Sequence, residues 1–216
     1  MDKNKLIEII KKTRNTKRNF KQKFDLIINL KNLNLKKPEE NINTFLVLPY
    51  RIGKKIKTCI FVDDQLVNKA KNICDEVIHK DDFSKYKDKK VIKKLAQKYD
   101  YFIAQANLMA DVASVFGKVL GPKNKMPNPK AGCVVPPVTE LKPLIEKLNK
   151  TIKLQTKNEL IIKAIVGSED MKDEEIAENV LFLYNQLLHL LPQEKNNVKN
   201  IFIKLTMGKP VEIKNV

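Results

Sequence analysis

Thr58-Cys-Ile-Phe-Val62 is a short, almost wholly apolar run that marks a change in the pattern of this 216-residue chain. Runs of this kind fill parallel sheets that are buried on both faces. Glu76-Val-Ile-His79 and Tyr101-Phe-Ile-Ala104 follow it as further strand-like segments, and helical patterns separate them. Strands that alternate with helices predict an α/β layer with parallel strands.

Polar residues that can cap helices follow the apolar runs. Asp63 and Asp64 come directly after Val62, and we expect one of them to cap the next helix. We expect Asn107 to cap the helix after the Tyr101 strand, and Thr139 to cap a later one. The adjacent acids therefore indicate a helix start and not a catalytic pair.

Both ends of the chain show the alternation of apolar and polar residues that is typical of strands. Residues 24–30 alternate in this way, and residues 201–206 form a second predicted strand near the end. A further alternating stretch begins at Thr151, and we interpret it as a hairpin that turns at Lys157-Asn158. The two ends together predict an antiparallel sheet.

Two amphipathic helices accompany these strands, one near residues 3–13 and a long one from Asp173. Neither end completes a core alone, so we expect residues 1–58 and 152–216 to fold together. The predicted fold class is α+β with an α/β insertion. A discontinuous split β-α-β (ferredoxin-like) domain would carry a Rossmann-like three-layer domain of residues 59–151. Two crossings between the domains favour hinge motion.

Positive charge is in excess and unevenly distributed. The chain holds 42 Lys and Arg against 25 Asp and Glu, for a net charge of +17. Residues 1–57 hold sixteen basic and five acidic side chains, whereas residues 152–216 hold nine of each. Self-repulsion of this size disfavours compact folding, so we expect a polyanionic partner near the first quarter of the chain. Nucleic acid is favoured over a membrane, because no lipidation motif accompanies the charge.

No stretch approaches 18 uninterrupted apolar residues, so we expect no membrane-spanning helix. The basic, amphipathic N-terminal segment lacks the apolar run of a signal peptide, which indicates a cytoplasmic protein. Cys59, Cys74 and Cys133 lie far apart without CxxC spacing, as reduced and mostly buried thiols do.

The residue groups that carry enzyme chemistry are missing from the sequence. His79 and His189 are the two histidines, and no HExxH, GxSxG or Cys/His cluster occurs. Gly117-Lys-Val-Leu-Gly-Pro-Lys123 lacks the spacing of a phosphate loop, and Pro122 removes a backbone donor. We therefore expect no enzyme, no metal and no cofactor. The alternative is an α/β nucleotide-binding enzyme, but such an enzyme would need a phosphate loop, and the sequence contains none.

A proline-rich loop carries the strongest functional signal. Gly121-Pro-Lys-Asn-Lys-Met-Pro-Asn-Pro-Lys-Ala-Gly132 contains three prolines, three lysines and no acid. No helix or strand can run through it. A rigid basic loop indicates either a stiffened connector or a contact with another molecule or domain. The candidate contact residues are Gly121, Lys123, Lys125, Pro127, Asn128, Pro129, Lys130 and Gly132.

Two short stretches form a second candidate site. Arg18-Asn-Phe20 precedes the first predicted strand, and Thr206-Met-Gly208 follows the last long one. Phe20 as a core residue and Gly208 as a turn glycine are the alternative interpretations. In the predicted sheet, however, both stretches lie at strand ends on the basic domain. The glycine would let an RNA backbone approach closely, while Phe20 and Met207 would offer apolar faces to riboses or bases.

These motifs resemble those of the large-subunit ribosomal protein one (L-one) family in its archaeal form. Residues 121–132 are similar to the family signature GPRGLMPNPKAG, with Lys123, Asn124 and Lys125 in place of arginine, glycine and leucine. Thr206-Met-Gly208 matches its C-terminal TMG. The archaeal pattern is matched by Arg18-Asn-Phe20, Asn29-Leu-Lys31 and Leu48-Pro49.

The resemblance implies a structural constituent of the large ribosomal subunit. The domain built from both termini would bind ribosomal RNA at the base of the mobile lateral stalk, near the exit site. The protein would help to release deacylated tRNA, and it would repress translation by binding its own mRNA leader. It would be a monomer when free. A ribosome-assembly factor with the same RNA-binding domain is the alternative.

The resemblance also implies which residues contact RNA. They are Arg18, Asn19, Phe20, Lys23, Asn29, Lys31, Thr206, Met207 and Gly208. Lys23 stands where the family usually has Ser or Thr, so one hydrogen bond would be replaced by a contact between lysine and phosphate. The proline-rich loop would contact tRNA or brace the inserted domain against the other.

Overall fold

The computed structural model describes residues 2–14, 18–37, 40–53, 56–86, 88–137, 140–156 and 159–213. It is a mixed α/β protein with antiparallel and parallel sheets. The chain divides into two compact units. The terminal unit comprises Met1–Lys54 and Lys150–Val216, and the inserted unit comprises Lys55–Asn149.

The α-helices are α1 (Lys3–Thr13), α2 (Val67–Lys71), α3 (Lys89–Lys98), α4 (Met109–Leu120), α5 (Leu141–Leu148) and α6 (Asp173–Leu190). The strands are β1 (Lys23–Leu30), β2 (Asn43–Val47), β3 (Thr58–Val62), β4 (Glu76–His79), β5 (Tyr101–Gln105), β6 (Val134–Val135), β7 (Thr151–Gln155), β8 (Ile161–Ser168), β9 (Val198–Leu205) and β10 (Val211–Glu212). Short 3-10 turns span Lys80–Lys85, Ala106–Leu108, Pro129–Ala131 and Glu194–Asn197.

The terminal unit is organised by an antiparallel sheet in the strand order β10-β9-β1-β8. β1 alternates strictly between half-buried and buried residues, as its sequence predicts. Its buried face packs in one core with apolar residues of α1 and α6. Burying one large aliphatic or aromatic side chain stabilises a fold by about 1.5–3 kcal/mol, so each buried residue that α1 and α6 add to this core contributes to stability.

The predicted hairpin between β7 and β8 is wrong. β7 pairs with β2 in a separate two-stranded sheet, where Leu154 faces Thr44, and β8 pairs with β1, where Ala164 faces Leu26. The proposed turn at Lys157-Asn158 lies outside the described residues. Alternation in a sequence indicates that a strand has two different faces, but it does not identify the neighbouring strand.

The inserted unit contains a parallel sheet in the order β4-β3-β5-β6. All five residues of β3 are buried, as expected of a strand covered on both faces. Aromatic rings fill the core on the side of α3 and α4: Phe61 lies 4.7 Å from Phe116 and 5.9 Å from Phe102, between ring centroids. Parallel strands and this core agree with the predicted α/β layer.

The expected helix caps are wrong at two places in this unit. α2 begins after Leu66, and neither Asp63 nor Asp64 caps it. α4 begins after Leu108, and a 3-10 turn separates it from β5, so Asn107 does not cap it either. Thr139 lies outside the described residues, and α5 follows Glu140 without a side-chain cap. The acids after β3 therefore have no role at a helix start.

None of the helices in the described ranges has the length and apolar character that a bilayer span requires.

Cys59 and Cys133 are buried and Cys74 is half-buried, and all three are free thiols, as predicted. Burial raises the pKa of Cys74 and of Cys133 to about 11, so both thiols stay protonated at neutral pH.

A buried asparagine joins three parts of the terminal unit. Asn179 of α6 is fully buried; its Oδ1 accepts a hydrogen bond from Tyr50 N at 3.0 Å, and its Nδ2 donates to Val166 O at 2.8 Å. The side chain thereby satisfies one orphan backbone donor in a loop and one acceptor in β8.

We predict that Asn179→Ala lowers the free energy of unfolding of the terminal unit by about 1–3 kcal/mol, because buried backbone groups lose their partners. Urea denaturation followed by circular dichroism measures this loss. Asn185→Ala is the matched control, since Asn185 is exposed on the same helix. An equal loss in both variants would show that the buried network contributes nothing.

Candidate nucleic-acid interface

The two predicted motif stretches meet at one edge of the antiparallel sheet. β1 begins where β9 ends, with Phe24 opposite Leu205, and β8 ends beside them, with Ser168 opposite Lys23. The residues before β1 and after β9 are therefore neighbours, although more than 180 positions separate them in sequence. We call residues Arg18–Lys23 and Thr206–Gly208 the strand-end edge.

Thr206 fastens the two halves of the strand-end edge. Its backbone N donates to Lys23 O at 3.0 Å. Its hydroxyl accepts a hydrogen bond from Lys23 N at 3.1 Å and donates to Lys23 O at 3.3 Å. A threonine hydroxyl has one proton and two lone pairs. One lone pair of the exposed Thr206 oxygen is thus left to accept a hydrogen bond from a ligand.

The buried side chain of Gln22 stabilises the turn at Met207. The residue is fully buried, and its side-chain Oε1 accepts a hydrogen bond from Met207 N at 3.1 Å. Its backbone N donates to Glu169 Oε2 at 3.0 Å, and its backbone O accepts from Glu169 N at 3.0 Å. Sequence reasoning missed Gln22, because a glutamine between two lysines gives no sign that it is buried.

Phe20 and Met207 present large apolar side chains to solvent. They are 52% and 58% exposed, which makes them the two most exposed large apolar residues in the described part of the chain. The alternative interpretation of Phe20 as a core residue is wrong. Gly208 has no positive φ, unlike Gly53 and Gly132, so a left-handed turn does not account for that glycine.

Asn29 and Lys31 lie at the other end of β1. Asn29 Nδ2 donates to Asn200 Oδ1 at 2.9 Å, and the exposed Lys31 follows the last residue of the strand. At a rise of about 3.3 Å per residue, Lys31 lies about 26 Å from Lys23. The structure therefore does not bring these two predicted residues to the strand-end edge. A ligand that contacts both ends must run along the sheet.

The sheet face that points away from the helices connects the two ends. It contains a depression lined by Asp25, Ile27, Lys163, Ala164, Ile165 and Lys204. Asp25 faces Lys204 on one side and Ile165 on the other. Burial raises the pKa of the Asp25 carboxyl, and the positive charges of Lys204 and Lys23 oppose that shift. Sequence reasoning missed Asp25, Lys163 and Lys204 as contact residues, although they occupy polar positions of predicted strands.

Two basic residues near the strand-end edge are already engaged within the fold. Arg14 Nε lies 2.7 Å from Asp173 Oδ1, and its other nitrogens donate to Glu169 O at 2.7 Å and Met171 O at 2.8 Å. Lys21 Nζ lies 2.8 Å from Asp170 Oδ2, an exposed ion pair that raises the pKa of Lys21. Arg14 therefore has a structural role, whereas an exposed pair of this kind exchanges easily for a phosphate.

The proline-rich loop has an inward and an outward part within the inserted unit. Lys125 Nζ donates to Ala96 O at 2.9 Å and Tyr99 O at 2.6 Å, so it binds carbonyls at the end of α3. Pro127 is buried, and Asn128 Oδ1 accepts from Lys130 N at 2.9 Å. Gly132 has a φ of 77°, which favours glycine. The outward residues are Gly121, Lys123, Pro129 and Lys130.

Comparisons with known proteins agree with the resemblance seen in the motifs. The family model described as "Ribosomal protein L1p/L10e family" matches residues 10–209. Large ribosomal subunit protein uL1 of Thermococcus kodakarensis is 40% identical over 216 residues, covering 98% of each chain.

Two further relatives bear the same name. The uL1 protein of Pyrococcus abyssi is 38% identical over 217 residues, with 99% of this chain and 97% of that protein covered. The uL1 protein of Methanobrevibacter smithii is 40% identical over 212 residues, with 96% and 98% covered. The predicted resemblance is thus confirmed along nearly the whole length: this chain belongs to the ribosomal protein L1p/L10e family.

Proposed function

We propose that this protein is a constituent of the large ribosomal subunit that binds ribosomal RNA at the base of the lateral stalk. The observation that carries the proposal is the strand-end edge. Phe20 and Met207 are exposed there, and hydrogen bonds of Thr206 to Lys23 and of Gln22 to Met207 join the two stretches of chain. Large apolar groups kept in water on a rigid frame favour a partner that covers them. Family membership supports RNA of the large subunit as that partner.

The terminal unit would act as the RNA-binding domain, a discontinuous split β-α-β (ferredoxin-like) fold. Its four-stranded antiparallel sheet with α1 and α6 supports this assignment. The inserted unit would be a Rossmann-like domain, which its parallel sheet supports. Chain crossings near residues 54–55 and 149–150 would let the inserted domain move on the RNA-bound one.

Binding would have two components. Lysines and arginines of the first 57 residues would neutralise phosphates and release counterions, a term that depends strongly on salt. The strand-end edge would read RNA shape, because its parts are already fixed before binding. The remaining lone pair of Thr206 would accept a 2′-hydroxyl proton, which DNA cannot supply. Lys23, where the family usually has Ser or Thr, would meet a phosphate.

The open sheet face would extend the interface from Lys23 toward Asn29 and Lys31. Asp25 would accept hydrogen bonds from RNA groups, and Lys163 and Lys204 on either side would contact phosphates. The ionised carboxylate of Asp25 is partly buried, which lowers the stability of the fold. A role in binding would explain why an acidic residue is present at this position.

The protein would have two further activities in the cytoplasm, one at the strand-end edge and one in the inserted domain. A leader of the protein's own mRNA that imitates the ribosomal site would compete for it, so surplus protein would repress its own translation. On the ribosome, the inserted domain would help to release deacylated tRNA. The outward lysines of the proline-rich loop, Lys123 and Lys130, are the candidates for a tRNA contact, while Lys125 is occupied by α3.

We predict that Phe20→Ala and Met207→Ala each weaken binding of a stalk-base rRNA fragment by about 1–3 kcal/mol, because a base or ribose loses its apolar platform. Filter binding or calorimetry measures the affinity. The same variants should weaken binding to the mRNA leader in parallel if both RNAs use one edge.

Leu190→Ala is the matched control, since Leu190 is 42% exposed in the terminal unit but lies on α6. Unchanged affinity of Phe20→Ala and Met207→Ala for the rRNA fragment would refute the interface. Loss of rRNA binding without loss of leader binding would refute the shared site alone.

We predict a different effect for the exposed lysines of α1. Lys11→Gln and Lys12→Gln should weaken binding of every RNA slightly and should reduce the salt dependence of the association constant. Each lost phosphate contact lowers the slope of log K against log salt by about 0.7–0.9. Affinity measured over a range of potassium chloride concentrations gives this slope. Lys94→Gln, an exposed lysine of the inserted unit, should leave the slope as it is.

We predict that Asp25→Asn stabilises the free protein at pH 7. Because burial raises the pKa of Asp25 in the folded state, its ionised form destabilises the fold relative to its neutral form. This penalty appears as pH rises from the unfolded pKa, about 3.9, through the higher folded value. The urea midpoint of the variant should exceed that of wild type at pH 7, and the difference should vanish below the unfolded pKa. Glu8→Gln on the exposed side of α1 is the control. If Asp25→Asn were less stable than wild type at pH 7, the prediction would be contradicted.

A further inference from the structure

The carboxyl ends of the parallel strands in the inserted unit form a second candidate site. In the strand order β4-β3-β5-β6, β3 is followed in the chain by β4 at one edge of the sheet. β5 is followed by β6 at the opposite edge. The crevice between two such strands is the topological switch point, the place where open α/β sheets bind ligands. The proposed RNA interface uses no residue of this edge.

Three potential ligand groups converge at the β3–β4 side of this edge. Asp63 and Asp64 follow β3, and His79 is the last residue of β4, directly opposite Val62 in the register. One ligand atom from each of the three side chains lies within 4.8 Å of the others. His79 Nε2 is 3.1 Å from Asp64 Oδ1. These side chains come together through strand register and not through sequence spacing, which explains why motif inspection predicted no metal.

A buried amide beside the cluster lacks a partner. Gln105, the last residue of β5, is 1% exposed, and its Oε1 accepts a hydrogen bond from Asp63 N at 3.0 Å. The Nε2 of the same amide group has no hydrogen-bond partner. His79 Nε2 is likewise buried, and its approach to Asp64 Oδ1 at 3.1 Å lacks the geometry of a hydrogen bond. Buried polar groups are rarely left unpaired unless a ligand or water supplies the partner.

We propose that this edge binds a divalent cation of the zinc class, with Asp63, Asp64 and His79 Nε2 as ligands and water in the fourth position. Imidazole nitrogen and carboxylate oxygen bind zinc at about 2.0–2.2 Å, so tetrahedral ligand atoms lie about 3.3 Å apart. The observed spread of up to 4.8 Å requires a modest contraction. The Asp64 side chain is 91% exposed and is able to rotate inward. The amide of Gln105 then donates to the water on the cation.

The surroundings of His79 suit this role. A histidine that binds a metal through one nitrogen usually donates its other N–H to a carboxylate, which fixes the ring. His79 Nδ1 lies 3.3 Å from Asp81 Oδ2 and 3.4 Å from Asp81 N. In the metal-free fold Nδ1 accepts the hydrogen bond from Asp81 N. Binding of the cation through Nε2 would move the ring proton to Nδ1, which would then donate to Asp81 Oδ2. Two carboxylates at the site disfavour a phosphate as the ligand.

Calorimetric titration of the full chain with zinc chloride tests the proposal. Wild type should bind one zinc ion at this site, and Asp64→Asn and His79→Gln should each weaken binding about tenfold or more. Asp64→Asn changes an exposed side chain and should fold normally. His189→Gln is the matched control, because it removes the other histidine, which is exposed on α6, and should bind zinc like wild type.

A cobalt titration distinguishes this site from the cysteines. Cobalt bound by nitrogen and oxygen ligands gives visible absorption without the near-ultraviolet charge-transfer band of thiolate ligation, and that spectrum is the expected one. Absence of zinc binding by wild type, wild-type affinity in both Asp64→Asn and His79→Gln, or a thiolate band would each overturn the proposal.

Discussion

The pairing of β1 with β9 is the constraint on which the rest of the terminal unit depends. It joins the first and last long strands of the chain and gives α1 and α6 one sheet to cover. It also creates the strand-end edge, because Thr206 reaches Lys23 only when Leu205 lies opposite Phe24. Core and candidate interface thus arise from the same set of backbone hydrogen bonds.

Sequence patterns predicted the faces of the strands well and their partners poorly. The alternation in residues 24–30 identified β1 and its buried side, since a half-buried strand needs one apolar face. Alternation could not show that β7 pairs with β2 instead of β8, because both pairings bury the same apolar positions. The expected caps at Asp63 and Asn107 failed for a related reason. Polar residues after a strand suit a helix start, but they suit a cluster at a sheet edge equally well.

The sequence predicted the motif stretches of the candidate interface, but it did not predict the buried residues that hold them in place. Arg18-Asn-Phe20 and Thr206-Met-Gly208 were found by their sequence, and the sheet brings them together. The buried Gln22 beneath Met207 and the desolvated Asp25 beside Lys204 depend on partners more than 140 positions away. Lys125, one of the loop residues predicted to contact tRNA or the other domain, donates to carbonyls of Ala96 and Tyr99, which the sequence did not indicate. The expectation of a non-catalytic protein is confirmed by the family, which consists of ribosomal proteins and not of enzymes.

The position of β9 near the end of the chain has a consequence for biosynthesis. A nascent chain that has released only residues up to β8 already contains β1, α1 and all residues of the inserted unit, but β1 still lacks a neighbour on one side. Such a chain also lacks Thr206 and Met207. The strand-end edge therefore cannot form until β9 and the residues that follow it have been synthesised, however early β1 and α1 emerge.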